Sequence, residues 1–467
     1  MSRKFQSEND RRAYLTETPV NKLIPTLAVP TIISMLVTGI YNSADTYFVG
    51  RISTKATAAV GLVFSVMAII QALAFFCGQG SGNYISRLLG AKDEKKAGEI
   101  AATGFAMAIV LGILLAVFGN IFASEIADII GAVSSSRNDT IDYLRIILMG
   151  APFTMGQFLI NNQLRFQGSA FYAMTGLMAG AVINIGLDPL LIFVFNMGIK
   201  GAAAATVAGQ AISFVALYIG SLRGQNVRIK LRNIRPTFSN IISISNGGLP
   251  SLVRQGLAAA ATLLMNRAAG AFAGDSGIAG MSIVTRVTML MFSALIGFGQ
   301  GYQPVCSYNY GAKLYSRVKE GFYFCVKYGT VFLAVASVGC FIFARPIVAC
   351  FRDDADVIAI GAKALRWQSA AMPFNALAVL VNMMLQASGQ GIKSSITSSA
   401  RNGIFFIPLI LLLPRLLGID GVAMTQAVAD VLTFVLCVFF VRREFGLYEK
   451  LEKKRDAETA ATEKQSE

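Results

Sequence analysis

The chain has 467 residues, of which 54% are hydrophobic and only 14% are charged, a composition that excludes an ordinary soluble domain and indicates a polytopic membrane protein. Its net charge of +15 comes from basic residues scattered over short loops, so attraction to lipid head groups explains the charge better than nucleic-acid binding. The sequence contains no histidine and no Walker A motif, which excludes histidine-based catalysis and ATP binding by that motif and leaves an ion gradient or a partner to drive any uphill transport.

Hydropathy predicts twelve membrane spans, each long enough to provide the ~20 apolar residues that cross a bilayer. The predicted spans are 23–49, 57–88, 95–118, 139–163, 172–196, 201–222, 244–272, 278–308, 315–340, 355–386, 394–416 and 421–443. The hydrophilic residues 1–22 contain no short apolar core followed by a cleavage site, so we expect the first span to stay in the protein.

Basic loops set the predicted orientation. Clusters of Lys and Arg follow the second, sixth, eighth and twelfth spans, and the positive-inside rule places these segments and both termini in the cytoplasm. The tail LYEKLEKKRDAETAATEKQSE has mixed charge and few apolar residues. We therefore expect the tail to be disordered.

An internal repeat divides the chain into two homologous halves. GQGSGNYISRLLGAK begins at Gly78 and GQGYQPVCSYNYGAK begins at Gly299, an offset of 221 residues at which Asn161 also matches Asn382. Six spans per half give both halves the same orientation, related by an axis along the bilayer normal. We therefore predict an all-α integral membrane fold of two six-helix bundles. The predicted segments are 1–22 (cytoplasmic), 23–222 (N-terminal bundle), 223–243 (cytoplasmic connector), 244–443 (C-terminal bundle) and 444–467 (cytoplasmic tail).

Two carboxylates interrupt the apolar spans of the first half. In the fifth span, NIGLDP places Asp188 and Asn184 about 12 and 18 Å below the predicted outer face. In the first span, Asp45 and Tyr41 lie about 6 and 12 Å below that face, and Thr206 of the sixth span lies about 8 Å below it. Residues four apart share one helix face. The sequence thus predicts one polar cluster towards the outer side of the first bundle.

The donor types in this cluster suit a coupling cation. Pro189 removes a backbone N–H and kinks the helix, which leaves a carbonyl oxygen partly free. The predicted sodium ligands are Asp45, Asp188, Asn184 and Thr206. Two neighbouring carboxylates also suit proton exchange, so sodium and proton remain alternatives. A purely structural role is the competing interpretation, but an acid at mid-helix costs ~2.5–3.5 kcal/mol, so two retained acids require a compensating reason.

Other polar positions give weaker signals. The repeat places Asn266 and Ile407 where the first half has its two acids, so the carboxylate pair is confined to the first half. Asp430, a lone acid in the last span, either pairs with an arginine or contacts substrate. Met178 and Met265 are candidate substrate contacts, with packing as the simpler role. The six cysteines have no metal-ligand spacing, so we expect them to act as small buried hydrophobic residues.

Taken together, these motifs resemble the multidrug and toxic compound extrusion (MATE) transporters. The resemblance rests on LAVPTIISMLVTGIYNSADTYFVGRIS, the two GQG…GAK segments, QGS after the fourth span and NIGLDP, and it covers about residues 20 to 445. The segment LPSLVRQG and the second GQG segment resemble the bacterial multidrug branch. This resemblance implies a non-enzymatic, cation-coupled antiporter of the bacterial inner membrane. It would export amphipathic, often cationic drugs by alternating access, with no cofactor beyond its coupling ion, and we expect a monomer.

The resemblance also assigns roles to individual residues. In relatives whose ion site is in the first bundle, the functional acids occupy the positions of Asp45 and Asp188, supported by those of Tyr41, Asn184 and Thr206. Other relatives carry acidic ion ligands on the first and fourth helices of the second bundle. Here those helices, AAAATLLMNRAAG and QSAAMPFNALAVLVNMM, contain no acid. A cation site in the second bundle is therefore not expected.

Two other classes compete with drug export. A flippase for a lipid-linked sugar would need several basic side chains in its cleft, and Arg254, Arg267 and Arg286 are the only second-half candidates, with no common helix face. An intramembrane enzyme or a channel is less consistent still. No pairing of a nucleophile with a base stands out, and two bundles with acids in one half lack the ring symmetry of a pore.

Overall fold

The computed structural model describes residues 7–134 and 136–466, and these residues form helices joined by short turns, without a strand in the described ranges. They divide into two compact units. The first unit contains the residues up to Glu17 and Val29–Leu252, and the second contains Thr18–Ala28 and the residues from Val253.

Nine helices and the beginning of a tenth build the first unit. They are α1 (Glu8–Thr16), α2 (Val20–Gly50), α3 (Thr54–Gly90), α4 (Glu94–Ile121), α5 (Ala123–Ile129), α6 (Arg137–Met149), α7 (Ala151–Phe166), α8 (Ala170–Pro189), α9 (Gly198–Leu222) and the start of α10 (Phe238–Gly311). A π-helical turn, Leu190–Val194, extends α8 beyond its proline.

The second unit contains the start of α2, up to Ala28, the rest of α10 and six further helices. These are α11 (Tyr315–Ile342), α12 (Ala344–Phe351), α13 (Ala355–Ala387), α14 (Gly391–Ser399), α15 (Phe406–Leu417) and α16 (Ile419–Ser466). A π-helical turn, Ala400–Ile404, joins α14 to α15.

The twelve predicted spans are confirmed as helices. Within the described residues, ten helices are long and apolar enough to cross a membrane, and the pair α6 and α7, bent by 48°, makes an eleventh span. Helix α10 contributes a further one because its path breaks at Ala273 and Gly274. Gly274 has φ 57° and ψ −146°, a conformation that glycine adopts without the clash of a Cβ.

The unit boundaries differ from the predicted bundle boundaries at two helices, α2 and α10. The start of α2, up to Ala28, belongs to the second unit, and the first unit extends past the connector to Leu252. The sequence places all of residues 23–222 in the N-terminal bundle because hydropathy records the length of a span but not its packing partners.

The charged tail is helical, in contrast to the predicted disorder. Helix α16 continues through the tail to Ser466, while residue 467 lies outside the described residues. Tyr448 is fully buried and stacks on Tyr315 with ring centroids 5.6 Å apart, and Lys319 pairs with Glu449 at 3.0 Å. The many charged residues of the tail hid these few anchoring residues, and its Ala, Glu and Lys favour helix once it is anchored.

Close helix contact positions α8 against α9. A Cβ on Gly180 would overlap the Ser213 hydroxyl and the carbonyl of Gly209, and a Cβ on Gly209 would lie 2.9 Å from the Cβ of Asn184. Small residues at such crossings let the backbones of membrane helices approach closely. This contact holds the polar face of α8 directly against α9.

Candidate cation site in the first unit

Asp188 lies at the end of α8, where the regular helix gives way to the π-helical turn. Its side chain is completely buried, and Pro189 follows it with helical backbone angles. Because proline has no N–H to donate to the carbonyl four residues earlier, the hydrogen-bond ladder is interrupted here. Widened π-helical turns of this kind are frequent at functional sites.

Asn184 links this acid to α9. One orientation of its amide gives both the nitrogen and the oxygen a hydrogen-bond partner. In that orientation the nitrogen donates to Asp188 Oδ2 at 3.3 Å and the oxygen accepts from the backbone N–H of Thr206 at 3.2 Å. In the opposite orientation the nitrogen still donates to Asp188, at 3.5 Å from Oδ1. In the first orientation, which satisfies both ends of the amide, the nitrogen faces the carboxylate and the oxygen is directed towards α9 rather than towards a shared ion.

Asp45 brings the second carboxylate to the site from α2. It lies close enough to Asp188 for the two charges to repel each other, and Tyr41, one turn earlier, is within electrostatic range of both acids. Among the described residues, neither acid forms an ion pair with a lysine or arginine. Asp188 is fully buried and Asp45 is partly buried, and two such like charges without a basic partner require a proton or a cation.

Tyr143 on α6 joins the site, although no sequence pattern pointed to it. It is fully buried and its hydroxyl is close to Thr206 and in electrostatic range of Asp45 and Asp188. Tyr143 lies near the start of a predicted span, where tyrosine is common because the membrane interface favours it. Only the bend between α6 and α7 shows that its side chain lies in the site. A tyrosine four residues into the fourth span, on the same half as the two acids, was the only available signal.

Among the residues that the structure describes, no hydrogen-bond partner is present for three oxygen atoms of this cluster. They are Asp45 Oδ1, Tyr143 OH and Thr206 Oγ1, all buried. Buried polar atoms are normally satisfied, and an exception calls for an explanation such as an ion. One carboxylate oxygen and two hydroxyl oxygens, with Asp188 beside them, form a donor set that suits a hard monovalent cation.

A cavity of about 110 Å³ adjoins the cluster within the first unit. Tyr41, Asn184 and Thr206 contribute to its wall, together with Thr154 and Gln210. The Thr154 hydroxyl donates to Gln210 Oε1 at 2.5 Å. Further polar residues, among them Gln71, and apolar side chains that include those of α3 and α8 also line it, so the cavity combines hydrogen-bonding groups with apolar walls, as small-molecule sites do.

The remaining predicted contacts lie elsewhere. Met178 is not part of the cavity wall, and Met265 is 7% exposed within the hydrophobic core of the second unit. Asp430 is paired with an arginine, the first of its two predicted alternatives, since Arg401 Nε donates to its Oδ1 at 2.8 Å. The structure thus brings together the five residues of the predicted cation cluster, whereas Met178 is absent from the cavity wall and Met265 and Asp430 belong to the second unit.

Comparison with known proteins gives a consistent result. A family model described as MatE matches residues 30–190 and 250–412, one match in each half of the repeat. The "Multidrug export protein MepA" of Staphylococcus haemolyticus is 28% identical over 437 residues, covering 93% of this chain and 96% of that protein. A protein of the same name from Staphylococcus aureus (strain MSSA476) is 28% identical over 442 residues, covering 93% and 97%. A solved structure described as "Crystal structure of MATE in the bent conformation" has a TM-score of 0.89 at 25% identity, covering 95% of this chain and 99% of that one.

Proposed function

Because this chain belongs to the MatE family of membrane transporters, we propose that it is a cation-coupled antiporter that exports amphipathic, often cationic drugs from the cytoplasm. The similarity to multidrug export proteins over nearly the full length supports drugs as the substrate class. The observation that carries the coupling is the pair of acids without a basic partner, Asp45 and Asp188, beside three unpartnered oxygens.

The shared walls of the two sites suggest how cation and drug are linked. Tyr41, Asn184 and Thr206 belong both to the cation cluster and to the cavity. A bound cation removes the repulsion between the two carboxylates and draws α2, α6 and α9 towards one centre. Since the same helices line the cavity, its shape and its affinity for a drug change with cation occupancy, which is the differential interaction that coupling requires.

The membrane potential adds to this coupling. Each positive charge that enters the cell along the potential contributes ~2.3 kcal/mol per 100 mV. The bacterial relatives support a location in the bacterial inner (plasma) membrane. The distribution of basic loops supports both termini in the cytoplasm, so the cation enters from outside as the drug leaves. We propose that the protein acts as a monomer with no cofactor other than this ion.

The coupling ion is sodium in our preferred form of the proposal, with the proton as the alternative. The hydroxyls of Tyr143 and Thr206 offer neutral oxygens that a proton does not need, which favours sodium. The Asn184 amide supports sodium less than the sequence suggested, because the amide nitrogen, rather than the oxygen, faces Asp188. A lipid-linked sugar flippase is not favoured, since no lysine or arginine is among the described residues that line the cavity.

Drug efflux from cells that express single variants tests this proposal. We expect Asp45→Asn and Asp188→Asn to abolish efflux of a fluorescent cationic drug at equal membrane expression. Asp142→Asn is the matched control, because Asp142 is an acid on α6 of the same unit whose side chain is 39% exposed and paired with Lys200. Wild-type efflux in both site variants would refute the mechanism.

A further inference from the structure

The last helix of each half carries matching residues at an offset of 220. GIKGAAAATVAGQ begins at Gly198 in α9, and GIDGVAMTQAVAD begins at Gly418, just before α16. The structure supports this register, because a Cβ on Gly201 would overlap the backbone of Leu191, and a Cβ on its counterpart Gly421 would overlap that of Leu413. In both halves the glycine packs against the end of the preceding span.

This register identifies the second-unit equivalents of the cavity wall. Gln210 and Thr206 correspond to Asp430 and Gln426, and at the repeat offset of 221 Thr154 corresponds to Asn375 and Gln71 to Phe292. The hydrogen bond between Thr154 and Gln210 has a direct counterpart, because Asn375 Nδ2 donates to Asp430 Oδ2 at 2.6 Å. The cavity of the first unit therefore has an equivalent location in the second.

A guanidinium group occupies that location. Arg401 donates from Nε to Asp430 Oδ1 at 2.8 Å and from Nη2 to Oδ2 at 3.5 Å, and Gln426 Nε2 adds a bond to Oδ1 at 2.9 Å. The guanidinium also lies 4.1 Å from the ring centroid of Phe292. A carboxylate on one side and an aromatic face on the other are the groups that bind organic cations.

Two further observations indicate a binding site rather than a packed structural pair. Asn375 is fully buried, yet no described residue donates a hydrogen bond to its Oδ1, so one acceptor of the site is unused. Arg401 lies in the π-helical turn Ala400–Ile404, and its side chain is 27% exposed whereas that of Asp430 is 4% exposed. Asp430 is therefore enclosed, whereas the Arg401 guanidinium that covers it is accessible to solvent. The backbone that carries Arg401 is an irregular turn of a kind frequent at functional sites.

We propose that Arg401 is a tethered cation that fills a second cation-binding cavity, formed by Asp430, Asn375, Gln426 and Phe292. The free ligand that this cavity accepts, once the tether is removed, is a monovalent organic cation of guanidinium size. With Arg401 in place, cation binding is confined to the first unit, a consequence that rests on the function proposed above. The binding chemistry itself does not depend on that function.

Removal of the tether and addition of a free guanidinium tests the proposal. The variant Arg401→Ala retains the Cβ, so ethylguanidinium supplies the missing atoms. We expect purified Arg401→Ala to unfold at a lower temperature than wild type, and millimolar ethylguanidinium to raise its Tm saturably. Ethylammonium, which has the same charge without the planar fork, should raise the Tm less. Wild type and Arg415→Ala, which removes an exposed arginine of α15, should not respond to ethylguanidinium.

The double variant Arg401→Ala/Asp430→Asn identifies the site of binding. We expect it to fold without a buried unpaired charge and to give no Tm response to ethylguanidinium.

An equal response in the single and double variants, or no response in the single variant, would overturn the proposal. If Arg401→Ala is not recovered folded, it is expressed and extracted in ethylguanidinium. Recovery only with the additive supports the tethered-cation role, and recovery of the double variant alone contradicts it. Because the readout is binding, a failure of drug transport would not alter these outcomes.

Discussion

Replacement of Thr206 by valine tests whether the Thr206 hydroxyl is a cation ligand or has a purely structural role. Thr206 is 1% exposed, and its Oγ1, which lies close to the Tyr143 hydroxyl, has no well-formed hydrogen bond within the described part of the chain, so valine removes a poorly satisfied buried group at nearly constant volume. An unsatisfied buried polar group costs about 1–3 kcal/mol. Without a coupling cation, we therefore expect Thr206→Val to be more stable than wild type by up to this amount.

The same replacement should weaken the response to the cation. We expect sodium to raise the Tm of Thr206→Val less than that of wild type, because valine removes one of the proposed oxygen ligands. Thr140→Val in α6 is the matched control, because the fully buried Thr140 hydroxyl donates to the Ser136 carbonyl at 2.9 Å. That replacement should cost about 0.5–1.5 kcal/mol, with the sodium response unchanged.

Thermal unfolding of the purified protein measures both effects, with sodium replaced by choline at constant ionic strength and with pH varied separately. The reasoning is refuted if Thr206→Val is less stable than wild type in choline and keeps the full sodium response. If only pH changes its stability relative to wild type, the site binds a proton and the sodium preference is wrong.

Three further replacements test other parts of the molecule. Tyr143→Phe should keep the fold but lower the affinity for the coupling cation, measured by isotope binding, because the hydroxyl is buried without a partner; unchanged affinity would exclude Tyr143 from the site. Gly180→Ala should separate α8 from α9 and so reduce Tm and abolish drug transport. Gly186→Ala, with nothing within 4 Å of the added Cβ, should leave both Tm and drug transport unchanged. Tyr448→Ala should destabilise the protein by about 3–5 kcal/mol, since its ring is fully buried, while Leu447→Ala, 40% exposed, should have little effect on Tm; equal effects would show that the tail is not anchored there.

Hydropathy and the repeat were enough to predict the twelve spans and their pairing into halves. Long apolar helices with polar breaks follow from the requirement that every backbone group in a bilayer be satisfied internally. The break in α10 was placed correctly between residues 272 and 278, where AGDSG combines glycine with polar residues. The helical tail was missed because Phe445 and Tyr448 are few among charged residues, and their burial depends on tertiary partners.

The candidate site was predictable in part. An acid in an apolar helix is recognisable because placing it in the membrane costs free energy. Asp45 and Asp188 were therefore identifiable, and helical spacing added Tyr41 and Asn184. Tyr143 was not identifiable, because the bend between α6 and α7 determines where it points.

Two finer features of the polar groups also escaped prediction. The side of the Asn184 amide that faces Asp188 depends on the register between α8 and α9. The partner of Asp430 depends on the π-helical turn that presents Arg401, and π-helical turns leave no clear sequence pattern.

Substrate flux in sealed proteoliposomes is the most direct test of cation-coupled antiport through the two acids. A sodium gradient and a pH gradient are imposed separately, at zero membrane potential, on wild type, Asp188→Asn and the Asp142→Asn control. We expect the sodium gradient to drive drug movement in the opposite direction in wild type and in Asp142→Asn, and not in Asp188→Asn. A pH gradient that alone drives flux would reassign the site to protons. Drug flux that depends on neither gradient, or that persists in Asp188→Asn, would contradict coupling at this site.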